Sequence, residues 1–203
     1  MLSENLVILI TVEVILLLCY PWILSRAHAN GRELNGDVLP DIIHDHVYCY
    51  RWFGILADFG VICAFAFFVM AVFVTGQLKY VAYFFVYIIL AHIVYTVYCI
   101  STTLPDSKGG SCSYNNTLCD IFREMGSCNM LNISGHLLVI GIILFLLSLM
   151  QNHKYALLYL VVYACMFFVI AASRNHYTVD CLTSTVVCGL FFTNHRALMQ
   201  MFL

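Results

Sequence analysis

Long apolar runs follow one another along most of this chain, separated by polar connections of unequal length. A helix needs about 20 predominantly apolar residues to cross the hydrocarbon core of a bilayer. The composition fits this requirement, because 63% of the residues are hydrophobic, 10% are charged and the mean hydropathy is +0.91. An ordinary soluble domain and a disordered chain are thereby excluded, and the sequence predicts an integral membrane protein.

The runs predict an all-α fold, a polytopic six-helix transmembrane bundle that forms a single domain over residues 1–203. The predicted spans cover residues about 6–24, 53–75, 80–101, 133–150, 155–172 and 180–194. The first run is preceded by Glu4, contains Glu13 and lacks the basic start of a signal peptide, so we expect it to remain as an anchor. Glu13 is expected to pair with an Arg or His on a neighbouring helix. The net charge of -2 indicates no nucleic-acid partner.

Six spans would place the two long connections, residues 25–52 and 102–132, on the same membrane face. The second, fourth and sixth spans start from that face, so the polar clusters near their starts are expected to meet there. Basic residues are more numerous on this face, but the long loops have more room for them. Its lumenal or extracellular position is favoured by a glycosylation sequon and three loop cysteines able to form a disulfide, at Asn115–Thr117 and at Cys112, Cys119 and Cys128.

Two histidines stand at the starts of spans on this face. The stretch "NISGHLL" carries His136, and "HYTVD" carries His176 and Asp180 four residues apart. If "HYTVD" is helical, its two polar residues share a face, and Asp180 can orient one nitrogen of the His176 ring while the other stays free. This pattern suits phosphoryl transfer through a phosphohistidine, in which one histidine attacks phosphorus and the other moves the protons.

Other interpretations of these residues exist. A histidine at the end of a span can be only an interfacial anchor, and a His-x-x-x-Asp spacing is common by chance. A metal site is a further alternative, with ligands drawn from His44, Asp45, His46, His136, His176 and Asp180. Because their order and spacing match no zinc signature, the sequence favours phosphoryl transfer without a metal or another cofactor.

Four motifs resemble those of the sphingomyelin synthase family within the lipid phosphatase superfamily. They are "VLPDIIHDH" at 38–46, "STTLPD" at 101–106, "CNMLNISGH" at 128–136 and "HYTVDC" at 176–181. The resemblance covers nearly the whole chain, and the motifs occur in the order that the family has. It implies six spans, cytosolic termini and an active site that faces the lumen or the exterior of a secretory-pathway membrane, in the Golgi, the endoplasmic reticulum or the plasma membrane.

The resemblance also implies the residue roles. His176 would be the nucleophile, Asp180 its orienter and His136 the general acid and base. Asp58 falls where relatives carry a Glu; an acid inside a span is a candidate functional residue, although a structural, hydrogen-bonded role is equally expected. Arg174 or Arg123, with backbone N–H groups near Ser134 and Gly135, would meet the phosphate charge. The expected substrate-binding residues are Ser134, Gly135, Tyr177, Asp41, Asp45, His46, Asp58 and Arg174.

The implied reaction moves a phospho-head-group from a membrane phospholipid to ceramide and releases diacylglycerol. Phosphocholine is the first expectation for the head group, and phosphoethanolamine is the second. The head group stays open because Asn129 and Met130 replace a Gly-Asp of the family and Tyr95 stands where synthases have an Arg. Two alternatives remain, a lipid phosphatase or phospholipase C-like hydrolase and a lipid-binding protein without chemistry, and a homo-oligomer is compatible with each.

Overall fold

A computed structural model describes residues 2–31, 39–47, 51–101, 133–174 and 176–203. All of the regular secondary structure in these residues is helical, which agrees with the predicted all-α class. The helices are α1 (Leu2–Gly31), α2 (Arg51–Thr75), α3 (Lys79–Ser101), α4 (Gly135–Met150), α5 (Ala156–Ala172), α6 (Thr178–Thr193) and α7 (His195–Phe202). The loop cysteines, the sequon, Arg123 and the "TTLPD" stretch lie outside the described residues.

Helix α4 forms the centre of the bundle. It packs against α2, α3, α5 and α6, and most of its residues are buried. Its sequence is apolar on every side, as expected for a helix that is surrounded by others. Helix α6 comes close because α4 has a glycine at the crossing, where a Cβ on Gly141 would lie 2.7 Å from the Cys188 Sγ. Helix α1 packs mainly on α3, at the edge of the bundle.

The outer helices turn large apolar side chains away from the protein, among them Phe73, Leu157 and Leu160. Two helical stretches, Trp52–Thr75 and Lys79–Tyr98, are long and apolar enough to cross a membrane. Helices α4, α5 and α6 are also apolar, but they have only 16 or 17 residues each. These features support membrane association of a helical bundle, and the count of six spans stays a prediction.

A carboxylate buried between α1 and α3 confirms one sequence expectation. The Glu13 Oε1 lies 2.8 Å from the His92 Nδ1, and Glu13 is only 6% exposed. Glu13 therefore pairs with a histidine of a neighbouring helix, as predicted. A buried carboxylate is tolerated among apolar helices only when a partner compensates its lost hydration, so this pair fixes where α1 meets α3.

The two chain ends meet at one end of the bundle. The Asn5 Nδ2 donates to the Leu203 carbonyl at 3.2 Å. Nearby, the Tyr87 hydroxyl lies 2.8 Å from the His195 Nδ1, and the Phe145 and Phe192 rings stack 4.0 Å apart. The starts of α2, α4 and α6 lie at the opposite end, where the polar residues of interest gather.

Candidate active site

The segment 39–47 is fastened to the start of α6 by one carboxylate. The Asp41 Oδ2 accepts from the Thr178 N–H, and the Asp41 Oδ1 accepts from the Thr178 hydroxyl, both at 2.6 Å. The Asp41 Oδ1 also accepts from the N–H groups of Ile43 at 2.9 Å and His44 at 3.2 Å. A carboxylate in this place satisfies a free helix N–H and interacts favourably with the helix dipole. Asp41 thus shapes its own turn and holds that turn against α6.

The hydrogen bonds of Asp41 also determine the protonation state of its carboxyl group. Burial by itself would raise the pKa of the carboxyl, but the hydrogen bonds from the Thr178 hydroxyl, the Thr178 N–H and the His44 N–H lower the pKa below its usual value. Asp41 is therefore an ionised acceptor at neutral pH.

The His44 side chain contacts the backbone at the junction between α5 and α6. Its Nε2 is 3.1 Å from the Ala171 carbonyl and 3.1 Å from the His176 carbonyl. In return, the Arg174 Nη2 donates to the His44 carbonyl at 2.8 Å. Arg174 has a φ of +55°, a left-handed conformation that few residues other than glycine adopt. The junction is thus an irregular turn that the segment 39–47 holds in place through hydrogen bonds.

His176 and Asp180 lie side by side and are both buried, but the His176 Nδ1 makes no hydrogen bond to the carboxylate and the two residues do not share a helix. His176 is 4% exposed and Asp180 is fully buried, and the His176 Nδ1 lies 3.5 Å from the Asp180 Oδ2. Because α6 begins at Thr178, His176 precedes the helix and Asp180 reaches back from its first turn. The Tyr177 N–H donates to the Asp180 Oδ2 at 2.9 Å and fixes that carboxylate.

His136 and Asp58 form a second, more open pair. The His136 Nε2 lies 2.8 Å from the Asp58 Oδ1, which joins the first turn of α4 to α2. Their side chains are 33% and 66% exposed. Asp58 is therefore the partner of His136, and the contact turns the His136 Nδ1 away from the carboxylate.

Two serines link the starts of α4 and α6. The N–H of the fully buried Ser134 donates to the Ser184 Oγ at 2.7 Å, and the Ser134 Oγ accepts from the Leu137 N–H at 3.3 Å as a helix cap. The Ser134 N–H is thus occupied and does not face a ligand, which corrects the expectation that it meets a phosphate. Space is open beside Gly135, where a Cβ would have no neighbour within 4 Å.

The sequence did not single out Ser184. Its hydroxyl lies 2.8 Å from the Asp180 carbonyl and 3.2 Å from the Ser134 carbonyl. The available signal was a hydroxyl residue four positions after Asp180 in an apolar run, which places both on one helix face.

One apolar cluster adjoins both pairs. It consists of Ile43, Ala57, Leu137, Ile170, Ala171, Ala172 and Cys181. Ala57 and Leu137 are the chain neighbours of Asp58 and His136, and Cys181 follows Asp180. The two imidazoles therefore belong to the same end of the bundle, although no hydrogen bond joins His136 to His176.

The remaining predicted residues have other surroundings. Asp45 and His46 are exposed on the segment 39–47, and the His46 Nδ1 lies 2.9 Å from the Ile42 carbonyl. Tyr177 is buried, and its hydroxyl accepts from the Leu39 N–H at 3.2 Å. Within the described ranges, no three His, Cys, Asp or Glu side chains come together as a metal site, so the metal alternative gains no support.

Residues 127–197 match the family model described as PAP2 superfamily C-terminal. The matched range contains His136, His176 and Asp180. No curated protein and no solved structure matches the chain. The family match is consistent with the lipid phosphatase superfamily, and it supports a lipid enzyme of the phosphatase or phosphotransferase type.

Proposed function

We propose that this protein is a phosphosphingolipid synthase, which transfers a phospho-head-group from a glycerophospholipid to ceramide and releases diacylglycerol. The observation that carries the proposal is the presence of two imidazole–carboxylate pairs beside one apolar cluster. The buried pair suits a nucleophile, because a fixed ring in a dry site attacks efficiently. The open pair suits a residue that exchanges protons with two successive substrates.

His176 performs the covalent step in this mechanism. The Asp180 Oδ2 faces the Nδ1 of the ring, so once the two atoms come within hydrogen-bond distance the carboxylate favours the tautomer with the proton on Nδ1 and the lone pair on Nε2. The Nε2 attacks phosphorus, a P–N bond forms, and the bond from phosphorus to the diacylglycerol oxygen breaks. The 3.5 Å separation of His176 and Asp180 shortens when substrate binds, as catalytic hydrogen bonds commonly do.

His136 donates the proton in the first step and accepts a proton in the second. As an imidazolium stabilised by the Asp58 carboxylate, it gives the Nδ1 proton to the departing diacylglycerol oxygen. The neutral ring then takes a proton from the primary hydroxyl of ceramide. The ceramide oxygen attacks phosphorus, the P–N bond breaks, and His176 and His136 return to their starting states.

The phosphate charge needs fixed positive potential near both rings. The start of α4 supplies its helix dipole there, and the open space beside Gly135 allows a phosphate oxygen to approach. Arg174 lies two residues before His176 and supplies a guanidinium whose Nη2 already bonds the adjoining segment. Both phosphocholine and phosphoethanolamine suit this arrangement, because each head group presents the same phosphodiester.

Hydrolysis is the second candidate function. Water in place of ceramide would complete the same cycle and give a phospholipase C-like hydrolase or a lipid phosphatase. The match of residues 127–197 to a superfamily of phosphatases and phosphotransferases supports this alternative as well as transfer. In either case we place the protein in a membrane of the secretory pathway, with the two pairs facing the lumen or the exterior.

The experiment uses the purified protein in liposomes of phosphatidylcholine and phosphatidylethanolamine with isotope-labelled ceramide. Mass spectrometry of the lipids follows, with His176→Ala as control after its thermal unfolding has been compared with that of the wild type. Labelled phosphosphingolipid that is absent with the variant supports the synthase and identifies the head group. Diacylglycerol without that product means a hydrolase, and unchanged lipids would contradict both enzymatic functions.

A further inference from the structure

His44 is a buried ring that the proposed reaction does not use. It is 6% exposed, and its ring centroid lies 5.6 Å from that of Tyr177. Its Nδ1 is buried and has no hydrogen-bond partner among the described residues. Burying a ring nitrogen without a hydrogen-bond partner destabilises the folded protein. The contacts of the other ring nitrogen are therefore expected to offset this loss.

The other nitrogen connects the two ends of the turn between α5 and α6. The His44 Nε2 lies 3.1 Å from the Ala171 carbonyl, in the last turn of α5, and 3.1 Å from the His176 carbonyl. Carbonyl oxygens only accept hydrogen bonds, so the proton lies on Nε2 and the lone pair on Nδ1. One shared N–H therefore sets the separation between the end of α5 and the backbone of His176.

Further hydrogen bonds keep His44 itself in place. The Arg174 Nη2 donates to the His44 carbonyl at 2.8 Å, and the His44 N–H donates to Asp41 at 3.2 Å. Asp41 in turn holds Thr178, two residues after His176. The turn contains Arg174 in the left-handed conformation, which persists only where surrounding contacts hold it.

From these contacts we infer that His44 is a positioning residue for the nucleophile, a role that rests on the function proposed above. By holding the His176 backbone, it keeps the His176 ring facing the Asp180 Oδ2 and directs the His176 Nε2 toward phosphorus. Displacement of a nucleophile by about 1 Å can cost about 10²-fold in rate. The loss falls on kcat, because His44 itself does not bind the lipid.

A matched pair of variants tests this role. His44→Gln carries an amide N–H at about the reach of the His44 Nε2, whereas the shorter His44→Asn places its amide near the Nδ1 position, away from the two carbonyls. We expect His44→Asn to lower kcat about 10²-fold with little change in KM, and His44→Gln to recover most of that loss. Equal losses in the two variants, or a change in KM alone, would overturn the inference.

A second measurement does not depend on activity. Backbone hydrogen exchange of the peptide spanning residues 171–180, read by mass spectrometry, reports how firmly the turn is held. Exchange is expected to rise in His44→Asn and to stay near the wild-type rate in His44→Gln. Exchange in His44→Asn that equals the wild type would overturn the role of His44, even if the wild type turned over no lipid and the proposed function had failed.

His44→Gln remains decisive if His44→Asn does not fold. Its thermal unfolding in detergent is compared with that of the wild type first. Wild-type exchange together with most of the wild-type kcat supports a donor at the Nε2 position as the positioning element. A folded His44→Gln protein with raised exchange, or with kcat as low as that of His176→Ala, would overturn it.

Discussion

The Asp58 carboxylate lies 2.8 Å from the Nε2 of His136, although the two residues are 78 positions apart in the chain. The contact joins α2 to α4 on the more open side of the site, where both side chains are partly accessible. A carboxylate in this position stabilises the charged imidazole, which is the form that gives a proton to a leaving oxygen. In the proposed mechanism Asp58 therefore differs in role from Asp180, which orients the nucleophile.

Replacing Asp58 by Asn tests this difference. The amide can still accept a hydrogen bond from His136, but the negative charge is lost. We expect kcat to fall by about 10²-fold, a part of the 10²- to 10⁴-fold that general acid–base catalysis supplies, while KM changes little. Asp58→Glu keeps the charge and is the control, measured in the same liposome assay. An Asp58→Asn enzyme as fast as the wild type would remove Asp58 from the mechanism.

Asp41 predicts a pH dependence of stability. Its pKa in the folded protein is lowered below the ordinary value of 3.8, so the unfolded chain binds its proton first as the pH falls. The stabilisation is therefore fully present above pH 3.8 and is lost as the pH falls through the lower, folded pKa. Thermal unfolding of the wild type and of Asp41→Asn in detergent, between neutral and acidic pH, measures this effect.

We expect the difference between the two proteins to be greatest near neutral pH and to shrink below pH 3.8. Asp45→Asn is the matched control, because Asp45 is exposed on the same segment. A constant difference across the pH range would mean that Asp41 stabilises the junction without its charge.

The pair between Glu13 and His92 predicts strong coupling between α1 and α3. Removing His92 alone, as His92→Leu, leaves the Glu13 carboxylate without its imidazole. Because the His92 side chain is 29% exposed, we expect a loss of about 1–3 kcal/mol, the cost of an unsatisfied buried polar group. The double variant Glu13→Leu/His92→Leu should recover much of this loss, because no charge remains buried. A double-mutant cycle of unfolding free energies in detergent gives the coupling. Additive effects would show that the two side chains do not interact.

Replacing Ser184 is expected to lower the stability of the protein without changing its binding of lipid. In Ser184→Ala the Ser134 N–H has no acceptor in its buried position, and an unsatisfied buried donor costs about 1–3 kcal/mol. Thermal stability should fall accordingly, while KM for lipid stays near the wild-type value. Thr193→Ala is the control, because among the described contacts the exposed Thr193 hydroxyl bonds only carbonyls of its own helix and the side chain of the adjoining Asn194. Equal stability of the two variants would contradict the role of Ser184.

The positions of the helices could be predicted because apolar runs are a local property of the chain. The spans predicted at about 53–75 and 133–150 differ from Arg51–Thr75 and Gly135–Met150 by two residues or fewer at each end. The proximity of the His176 and Asp180 side chains was also predictable from their spacing of four residues. Its helical explanation was wrong, because Asp180 bonds the Tyr177 N–H and the helix starts after His176.

Partners distant in the chain could not be predicted in the same way. Asp41 and Thr178 are 137 positions apart, and no periodic pattern relates a turn between two spans to the start of a much later helix. The acceptor of the Ser134 N–H likewise depends on how closely α4 and α6 approach, which Gly141 decides. Such contacts follow from packing of finished helices, whereas sequence patterns report the helices one at a time.

The bond between Asp41 and Thr178 has a consequence for biosynthesis. The ribosome makes Asp41 well before it makes Thr178, so the early segment emerges with a carboxylate that has not yet met its helix. Only when α5 and α6 have both formed can the segment 39–47 close against them and fix the backbone of His176. Under the proposed function, a growing chain therefore carries no assembled nucleophile, and the membrane in which it is made is not exposed to a partly built catalytic site.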